Sequence, residues 1–236
     1  MKQEWLPQRD QTALLVGNYV HSYFESDLAH AEFVESNKEA MLSTRGATKG
    51  KLKKEYQVAD KMIETLEADE FFENVYQGKK EVIVKGNIFG QRWKGKIDCL
   101  NLDQGYFVDL KTTQDIHKRF WNSERRQWVP FVTQYNYFMQ MAVYRELIKQ
   151  TFKVDCIPLM MAVSKDNVPD KAAISFTDAD CIDEMQAQLN TIESMQGHIV
   201  HVLAGEDKPT LCGHCDYCRS LNVLSDFVSP FSLLDE

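Results

Sequence analysis

The sequence lacks any hydrophobic run that approaches the roughly 18 residues of a membrane span. Its beginning, MKQEWLPQRD, has no apolar signal region, so we expect a soluble, cytoplasmic protein with no membrane partner. Internal repeats and long linkers are also absent. The 236 residues, of which 44% are hydrophobic and 26% charged, suit one large globular domain or two small ones.

Cysteine is scarce, and its placement argues against disulfide bridges. Three of the six cysteines stand singly, while Cys212, Cys215 and Cys218 lie together in LCGHCDYCRS. Without a secretion signal, reduced thiols or a metal site are expected. The two-residue gaps allow these thiolates to converge on a structural Zn²⁺ ion or iron–sulfur cluster, with His214, His201 or a lone cysteine as fourth ligand. Reduced thiols on a terminal tail are the alternative.

Positive charge is scarce overall but concentrated in one segment. The formal net charge of −8 argues against a generic nucleic-acid coat protein. From Lys79 to Arg126, however, eleven Lys and Arg outnumber six Asp and Glu by five, which leaves −8 − 5 = −13 for the rest of the chain. A local basic patch can bind phosphates whatever the total charge, although a solvated surface explains the same composition.

Hydrophobic periodicity predicts an α/β domain with a central mixed β-sheet flanked by helices. Helices are expected over residues 10–30, 52–74, 130–150 and, capped by Asp178, to about residue 204. Strands are expected over residues 81–89, 93–100, 106–111, 156–164 and 171–176. The apolar stripe of the last helix is expected to belong to the core, and it consists of Ile182, Met185, Leu189, Ile192, Ile199 and Leu203.

The segment VDLKT places an acid and a lysine two residues apart on an expected strand. Successive side chains of a strand point to opposite faces. Val108 and Leu110 therefore share the face that enters the core, while Asp109 and Lys111 project together from the other face. Alone, such a pair is more often a surface ion pair than an active site.

A second acid is expected to meet this pair across a hairpin. If Asp103 and Gln104 form the tip of the turn NLDQG, residues whose numbers sum to 207 face each other, and Asp98 lies opposite Asp109. Two carboxylates that close repel unless a cation lies between them, and oxygen ligands suit Mg²⁺ or Mn²⁺. Lys111 then lies beside the metal, where it can orient or deprotonate a water or neutralise a phosphate. The set indicates phosphodiester hydrolysis.

These residues carry a family resemblance. GKIDCL followed by VDLKTT resembles the core of the PD-(D/E)xK nuclease superfamily, and more closely its RecE-type branch of phage and prophage exonucleases related to exonuclease VIII. GNYVHSYFE resembles the Gly-x-x-x-His helix motif of that branch, with His21 as its histidine. QMAVY resembles the Gln-x-x-x-Tyr motif of RecB-like nucleases, formed here by Gln140 and Tyr144, and Glu81 matches an additional acid of the active site. Asp109 stands two residues before the lysine, at a position where this superfamily more commonly has Glu.

The resemblance implies a role for each of these residues. Lys111 activates or positions the attacking water, and Glu81, Gln140 and Tyr144 complete or support the catalytic set. The metal, Mg²⁺ or Mn²⁺, is held by Asp98, Asp109, the Leu110 carbonyl and His21. We expect a nuclease domain over residues 1–204 and a C-terminal tail over residues 205–236, which carries the cysteine cluster and packs on the same domain.

The resemblance also implies an activity: a Mg²⁺-dependent deoxyribonuclease that digests one strand of duplex DNA from its 5′ end in phage or prophage recombination. Because relatives form rings, a homo-oligomer is expected, with a single-strand annealing protein as partner. One alternative is a RecB-like or CRISPR-adaptation nuclease with an iron–sulfur cluster. Others are a non-catalytic DNA-binding protein on a nuclease fold and a small zinc-binding adaptor.

The segment HKRFWNSERRQW interleaves cations with aromatic rings shortly after Lys111. Cations can bind phosphates, and aromatic rings can stack on unpaired bases, so the segment is expected to line the path of the DNA. A surface helix with buried tryptophans is the alternative. The residues expected to bind DNA are Lys118, Arg119, Trp121, Arg125 and Arg126.

Overall fold

The computed structural model describes residues 11–123, 125–213 and 215–231. They belong to two compact units, Gln11–Met195 and a second unit that takes up the chain again at Gln196. The domain boundary expected between residues 204 and 205 stays a prediction. In the described part of the chain, no helix is both long enough and apolar enough to cross a membrane.

The described residues of the first unit form seven strands. They are β1 (Lys79–Ile88), β2 (Gln91–Asn101), β3 (Tyr106–Thr113), β4 (Phe120–Asn122), β5 (Gln127–Val129), β6 (Ile157–Ser164) and β7 (Lys171–Ser175). One mixed sheet has the order β1-β2-β3-β6-β7, in which β3 and β6 run parallel and the other neighbours antiparallel. The predicted α/β fold with a central mixed sheet is therefore confirmed, and β4 with β5 adds a separate hairpin.

The described residues also form eight α-helices. They are α1 (Thr12–Glu25), α2 (Asp27–Met41), α3 (Lys54–Glu67), α4 (Glu70–Val75), α5 (Phe131–Gln134), α6 (Tyr137–Phe152), α7 (Ala179–Ala204) and α8 (Asp216–Ser220). Three of the helices expected from periodicity are thus each divided in two. At the first division, Ser26 is extended, and its hydroxyl accepts a hydrogen bond from the Ala29 N–H at 3.1 Å. At the second, Asp69 accepts one from the Phe72 N–H at 3.0 Å. Both are N-caps that begin a new helix.

Helices cover both faces of the sheet, because both faces are apolar. On one face α6 and part of α7 pack on side chains such as Ile97, Phe107 and Met160. On the other face α1, α3 and α4 pack on Val108 and Leu110, as the strand alternation predicted. Asp109 and Lys111 consequently lie on the side of the sheet that α6 covers.

Helix α7 begins where the sequence predicts, but the burial of its apolar residues differs along its length. The Asp178 carboxylate accepts a hydrogen bond from the Cys181 N–H at 2.8 Å, so the predicted cap is confirmed. Met185 and Ile192 are buried in the core, but the predicted apolar stripe is wrong at its ends. The exposed members of that stripe are Ile182 at 45%, Ile199 at 49% and Leu203 at 78%. Ile199 and Leu203 belong to the second unit.

Candidate active site

The predicted register of the β2–β3 hairpin is confirmed, and the ladder ends just before Asp98 and Asp109. The paired residues of β2 and β3 are Cys99 with Val108, Leu100 with Phe107, and Asn101 with Tyr106, each pair summing to 207. The next pair in that register is Asp98 with Asp109, where the ladder ends. There the Leu110 N–H donates to Asp98 Oδ2 at 2.7 Å, so a side chain takes the place of a backbone partner.

Asp109 and Lys111 form a buried ion pair against helix α6. Their Oδ2 and Nζ atoms are 2.7 Å apart, and Asp109 is only 1% exposed. Gln140 of α6 donates from Nε2 to Asp109 Oδ1 at 2.9 Å. The Lys111 ammonium also lies 4.9 Å from the centre of the Tyr137 ring. Helix α6 therefore fixes both the acid and the lysine of β3.

Glu81 faces Asp98 from the other side of β2. Strands β1 and β2 pair with a constant register, from Lys80 with Cys99 to Val82 with Ile97, and this places Glu81 opposite Asp98. That one pair is missing from the ladder because Glu81 has a positive φ of 54°. A non-glycine residue in the left-handed region costs free energy and persists only where its surroundings enforce it, which is common at functional sites.

His21, Glu81 and Asp98 converge on one point. One ligand atom from each lies within 4.8 Å of the other two, and the distance from His21 Nδ1 to Asp98 Oδ2 is 3.5 Å. Imidazole and carboxylate ligands suit Mn²⁺ and, through the oxygens, Mg²⁺. Glu81 joins the predicted ligands His21 and Asp98 in this group, while Asp109 forms an ion pair with Lys111.

Two buried carboxylate oxygens of the site each have a lysine ammonium as partner. Glu81 Oε2 contacts the Lys96 ammonium and Asp109 Oδ2 contacts that of Lys111. Buried charges are paired or coordinate metal ions. The imidazole of His21 and the carboxylates of Glu81 and Asp98 are ligand types that Mn²⁺ and Mg²⁺ accept. The residues present therefore fit a divalent metal ion.

Burial and neighbouring charges separate the pKa values of the two aspartates. Burial raises the pKa of Asp109 to about 6, with Lys111 opposing the rise and Asp98 adding to it. Burial also acts to raise the pKa of Asp98, but hydrogen bonds from His21 and the Leu110 N–H outweigh it and lower that pKa below its usual value. Burial alone would lower the pKa of Lys111, yet Asp109 and Asp98 raise it. Lys111 is therefore a cation at neutral pH.

Tyr144 of α6 packs against Gly95 of β2. A Cβ atom at Gly95 would be 3.0 Å from Tyr144 Cε1, so the absence of a side chain in GKID makes room for the ring. Burial raises the pKa of Tyr144, which a hydrogen bond with Gln140 partly opposes. Tyr144 and Gln140 thus support one another beside Asp109, as the Gln-x-x-x-Tyr spacing predicts for residues one helical turn apart.

An open cleft gives access to the convergent residues. Its volume is about 560 Å³, and it lies between α1 and α2 on one side and β1 and β2 on the other. His21, Glu81, Asp98 and Lys96 line it together with polar residues of α2. The cleft leads solvent to the proposed metal ligands.

The predicted DNA-binding segment is a hairpin, so the alternative of a surface helix with buried tryptophans is wrong. Trp121 of β4 and Trp128 of β5 are 52% and 60% exposed. Lys118 and Arg119 precede the hairpin, and Arg126 lies in its turn. The remaining predicted cation, Arg125, forms a two-pronged ion pair with Glu184 of α7 and so already has an acidic partner within the protein.

The cysteine cluster lies in the second unit. The Sγ atoms of Cys212 and Cys218 are 3.8 Å apart and those of Cys215 and Cys218 are 3.5 Å apart. Thiolates bound tetrahedrally with Zn–S distances of about 2.3 Å have sulfur atoms about 3.8 Å apart. Three of the predicted ligands therefore converge as a metal site requires. The fourth, His214, lies outside the described residues.

Comparisons with known proteins agree with this geometry. Residues 1–221 match a family described as a PDDEXK-like domain of unknown function, and the chain belongs to that family. A crystal structure from Eubacterium rectale, provisionally described as an exonuclease, is 33% identical with a TM-score of 0.81. The match covers 97% of this chain and 81% of that one. The structure of SSO0001 is 13% identical with a TM-score of 0.32, and the match covers 90% of this chain and 85% of that one. No curated protein matches.

The class of protein follows from these observations together. The mixed sheet, the Asp-x-Lys pair of β3 and the family match identify a member of the PD-(D/E)xK nuclease superfamily. The family and its structural neighbour support nuclease activity for this chain. Nucleases of this kind usually use divalent metal ions, and the described residues provide a site for one.

Proposed function

We propose that this protein is a Mg²⁺- or Mn²⁺-dependent deoxyribonuclease. The observation that carries the proposal is the convergence of His21, Glu81 and Asp98 beside the buried Asp109–Lys111 pair. His21, Glu81 and Asp98 would hold the metal, with Asp109 and the Leu110 carbonyl completing its ligands. The bound metal would polarise the scissile phosphate and lower the pKa of the attacking water.

Lys111 has the position and the charge to act on the phosphate. Its ammonium is kept protonated by Asp109 and Asp98, so we assign it to neutralising the developing negative charge and positioning the water. Gln140 holds the Asp109 carboxylate in the orientation in which it faces Lys111. Tyr144 and Gln140 are positioning residues in this scheme, since they act through Asp109.

We further propose that the enzyme is an exonuclease that degrades duplex DNA from 5′ ends and serves phage or prophage recombination. Support comes from the sequence motifs of the RecE-type branch and from the exonuclease description of the Eubacterium rectale protein. A ring-shaped homo-oligomer and a single-strand annealing partner belong to the same proposal. Cytoplasmic location fits an enzyme whose substrate is DNA.

The three thiolates of the second unit are proposed to hold a structural metal. Their separations suit Zn²⁺, and an iron–sulfur cluster uses the same ligand type. His214 is proposed as the fourth ligand. We propose no chemical step at this metal, because the acids and the lysine of the nuclease motif all belong to the first unit.

The proposal is tested by digesting linear duplex DNA labelled at either end, beside a closed circle of the same sequence. We expect Mg²⁺-dependent loss of the linear DNA from its 5′ ends, an intact circle, and no digestion in EDTA. A cut circle would replace the exonuclease by an endonuclease of the same superfamily. Intact DNA in both Mg²⁺ and Mn²⁺ would contradict the proposed activity.

A further inference from the structure

The hairpin of β4 and β5 exposes two tryptophans on one face. Trp121 and Trp128 are direct partners in the antiparallel ladder, so their side chains project on the same side. Their ring centres are 5.6 Å apart in an edge-to-face arrangement. At 52% and 60% exposure, much of both rings faces water. Large exposed aromatic pairs on a soluble protein usually mark a binding surface.

The opposite face of the hairpin already anchors it to the protein. Phe120 pairs with Val129 on that face, and Val129 is buried. The Phe120 ring packs edge-to-face on Tyr135 at a centroid distance of 5.5 Å. The hairpin therefore has an apolar attachment that leaves Trp121 and Trp128 free to contact something else.

Aromatic contacts lead from the hairpin to the proposed catalytic lysine. Tyr135, which is 53% exposed, lies 6.0 Å from the Tyr137 ring, measured between centroids. The Tyr137 ring lies in turn 4.9 Å from the Lys111 ammonium. Phe120, Tyr135 and Tyr137 thus form a continuous row of rings from the anchored face of the hairpin to Lys111.

Cations accompany this row of rings. The Lys118 ammonium lies 5.2 Å from the Phe120 ring centre, and the Arg119 guanidinium carbon lies 6.0 Å from that of Trp128. Interleaved cations and aromatic rings complement a polyanion with planar bases. Bases within an intact duplex cannot stack on protein rings, so the bases bound here must be unpaired.

We propose that Trp121 and Trp128 form a stacking surface for unpaired nucleotides of the substrate strand. This inference rests on the proposed nuclease function, because it places the single-stranded segment beside Lys111. The surface holds a frayed end by stacking, while Lys118 and Arg119 contact the phosphates. The enzyme then engages a separated strand and not the closed helix.

Binding to labelled oligo(dT) in EDTA tests the inference without any cleavage. The double variant Trp121→Ala/Trp128→Ala is expected to bind oligo(dT) more weakly. Each lost stacking ring should cost about 5- to 100-fold in affinity. Trp121→Phe/Trp128→Phe keeps two stacking rings and should restore most of the affinity. Blunt duplex DNA should bind all variants with nearly equal affinity.

A matched control removes an exposed ring elsewhere. Phe71 of α4 is 60% exposed, so Phe71→Ala should leave oligo(dT) affinity unchanged. Thermal melting of each variant shows whether the hairpin change disturbs the fold, since the tryptophan pair also stabilises the hairpin. Equal oligo(dT) affinity of a folded Trp121→Ala/Trp128→Ala variant and the wild type would overturn the inference.

A small substrate separates this inference from the nuclease proposal. Hydrolysis of bis(p-nitrophenyl) phosphate with Mn²⁺ requires the metal site but no stacked base. The tryptophan variants should keep this hydrolysis while losing oligo(dT) affinity. If the wild type hydrolyses neither this ester nor DNA, the nuclease proposal fails, and the stacking surface is still decided by the binding measurement in EDTA.

Discussion

Lys111 is held in place by the protein before any substrate arrives. Its ammonium is 2.7 Å from Asp109 Oδ2 and lies over the Tyr137 ring, and the two aspartates keep it charged. A charge fixed in advance costs no reorganisation when negative charge develops on a phosphate. Its contribution to the reaction should therefore be large.

Replacing Lys111 by Met keeps the aliphatic stem and removes the charge. We expect the rate of linear duplex cleavage to fall by about 100-fold or more, as for the loss of one fixed electrostatic partner of a transition state. End-labelled DNA digestion measures the rate, and thermal melting verifies that the variant is folded. The control Lys149→Met changes an exposed lysine of α6 and should cleave like the wild type. A fully active Lys111→Met variant would remove Lys111 from the mechanism.

Glu81 is kept in a strained conformation within β1. Its φ of 54° suits glycine, and its carboxylate contacts the Lys96 ammonium. Glu81→Gly should therefore stabilise the metal-free protein while it weakens Mn²⁺ binding. The left-handed region costs a residue with a Cβ about 1–2 kcal/mol, so Glu81→Gly should exceed Glu81→Ala in unfolding free energy by about 1 kcal/mol. Denaturant unfolding and Mn²⁺ titration measure the two effects, and Glu81→Ala is the matched control.

The pKa of Asp109 makes metal binding depend on pH. With a folded pKa of about 6, above the ordinary value near 4, Asp109 favours the metal-free fold below pH 4, and this contribution is lost as the pH rises through 6. A metal ion reverses the preference because it needs the ionised carboxylate. The rise in melting temperature caused by Mn²⁺ should therefore grow between pH 5 and pH 7. Below the pKa of Asp109, the affinity for Mn²⁺ should increase by about tenfold per pH unit.

The Asp109→Asn variant serves as control for this pH dependence. It cannot ionise at that position, so its response to Mn²⁺ should change much less between pH 5 and pH 7. Calorimetric titration at each pH gives the affinities directly. A wild-type affinity that is constant over this range would show that Asp109 takes no part in metal binding.

Among the elements, β1 depends on the glycine that precedes it. Gly78 has a φ of 150°, and a Cβ there would lie 2.4 Å from the carbonyl oxygen of Leu100. Gly90, in the turn between β1 and β2, has a φ of 84° with open space around it. Gly78→Ala should destabilise the protein by about 3 kcal/mol or more, against about 1–2 kcal/mol for Gly90→Ala. Denaturant unfolding measures both, and equal effects would contradict the close approach at Gly78.

Long periodic elements could be predicted from the sequence, whereas short ones could not. Strands β2, β3 and β6 each have eight or more residues and include alternating or apolar segments, and their positions were predicted to within a few residues. Strands β4 and β5 have only three residues each, too few for any period to show. The division at Ser26 had a local signal, an N-capping residue, which the apolar periodicity on both sides of it concealed.

The residues of the candidate site likewise divide into those that local sequence predicts and those that tertiary packing places. The positions of Asp98, Asp109 and Lys111 follow from strand alternation and a short hairpin, which are local properties. The approach of His21 and Gln140 depends on how α1 and α6 pack on the sheet, and only the family resemblance indicated it. The left-handed conformation of Glu81 had no signal in the sequence, because it arises from tertiary contacts.

At the scale of the whole molecule, the two groups of candidate metal ligands belong to different units. Oxygen and imidazole ligands belong to the first unit and thiolates to the second. Cys218→Ser should therefore abolish the metal content of protein purified and dialysed against EDTA at low concentration, and should lower the melting temperature. Elemental analysis measures the metal. Mg²⁺-dependent cleavage per folded molecule should stay within about threefold of the wild type, because the site adds no catalytic group.

The control for the cysteine cluster is Cys181→Ser. This half-buried cysteine contacts Asp178 and belongs to no group of metal ligands among the described residues. It should keep the metal content of the wild type. If the wild-type protein contains no metal, or if Cys218→Ser contains as much metal as the wild type, the three thiols are reduced side chains and not metal ligands.

Asp98 belongs to a strand with neighbours on both sides, yet neither ladder includes it. On one side the distorted Glu81 interrupts the pairing, and on the other the strands part at Asp109. The sheet therefore has a gap in its backbone pairing, one residue wide, in its second strand. Through that gap a histidine from a helix, a backbone N–H from β3 and a carboxylate from β1 all reach one aspartate. Asp98, on which the candidate site converges, thus lies in an interior strand and not at the edge of the sheet.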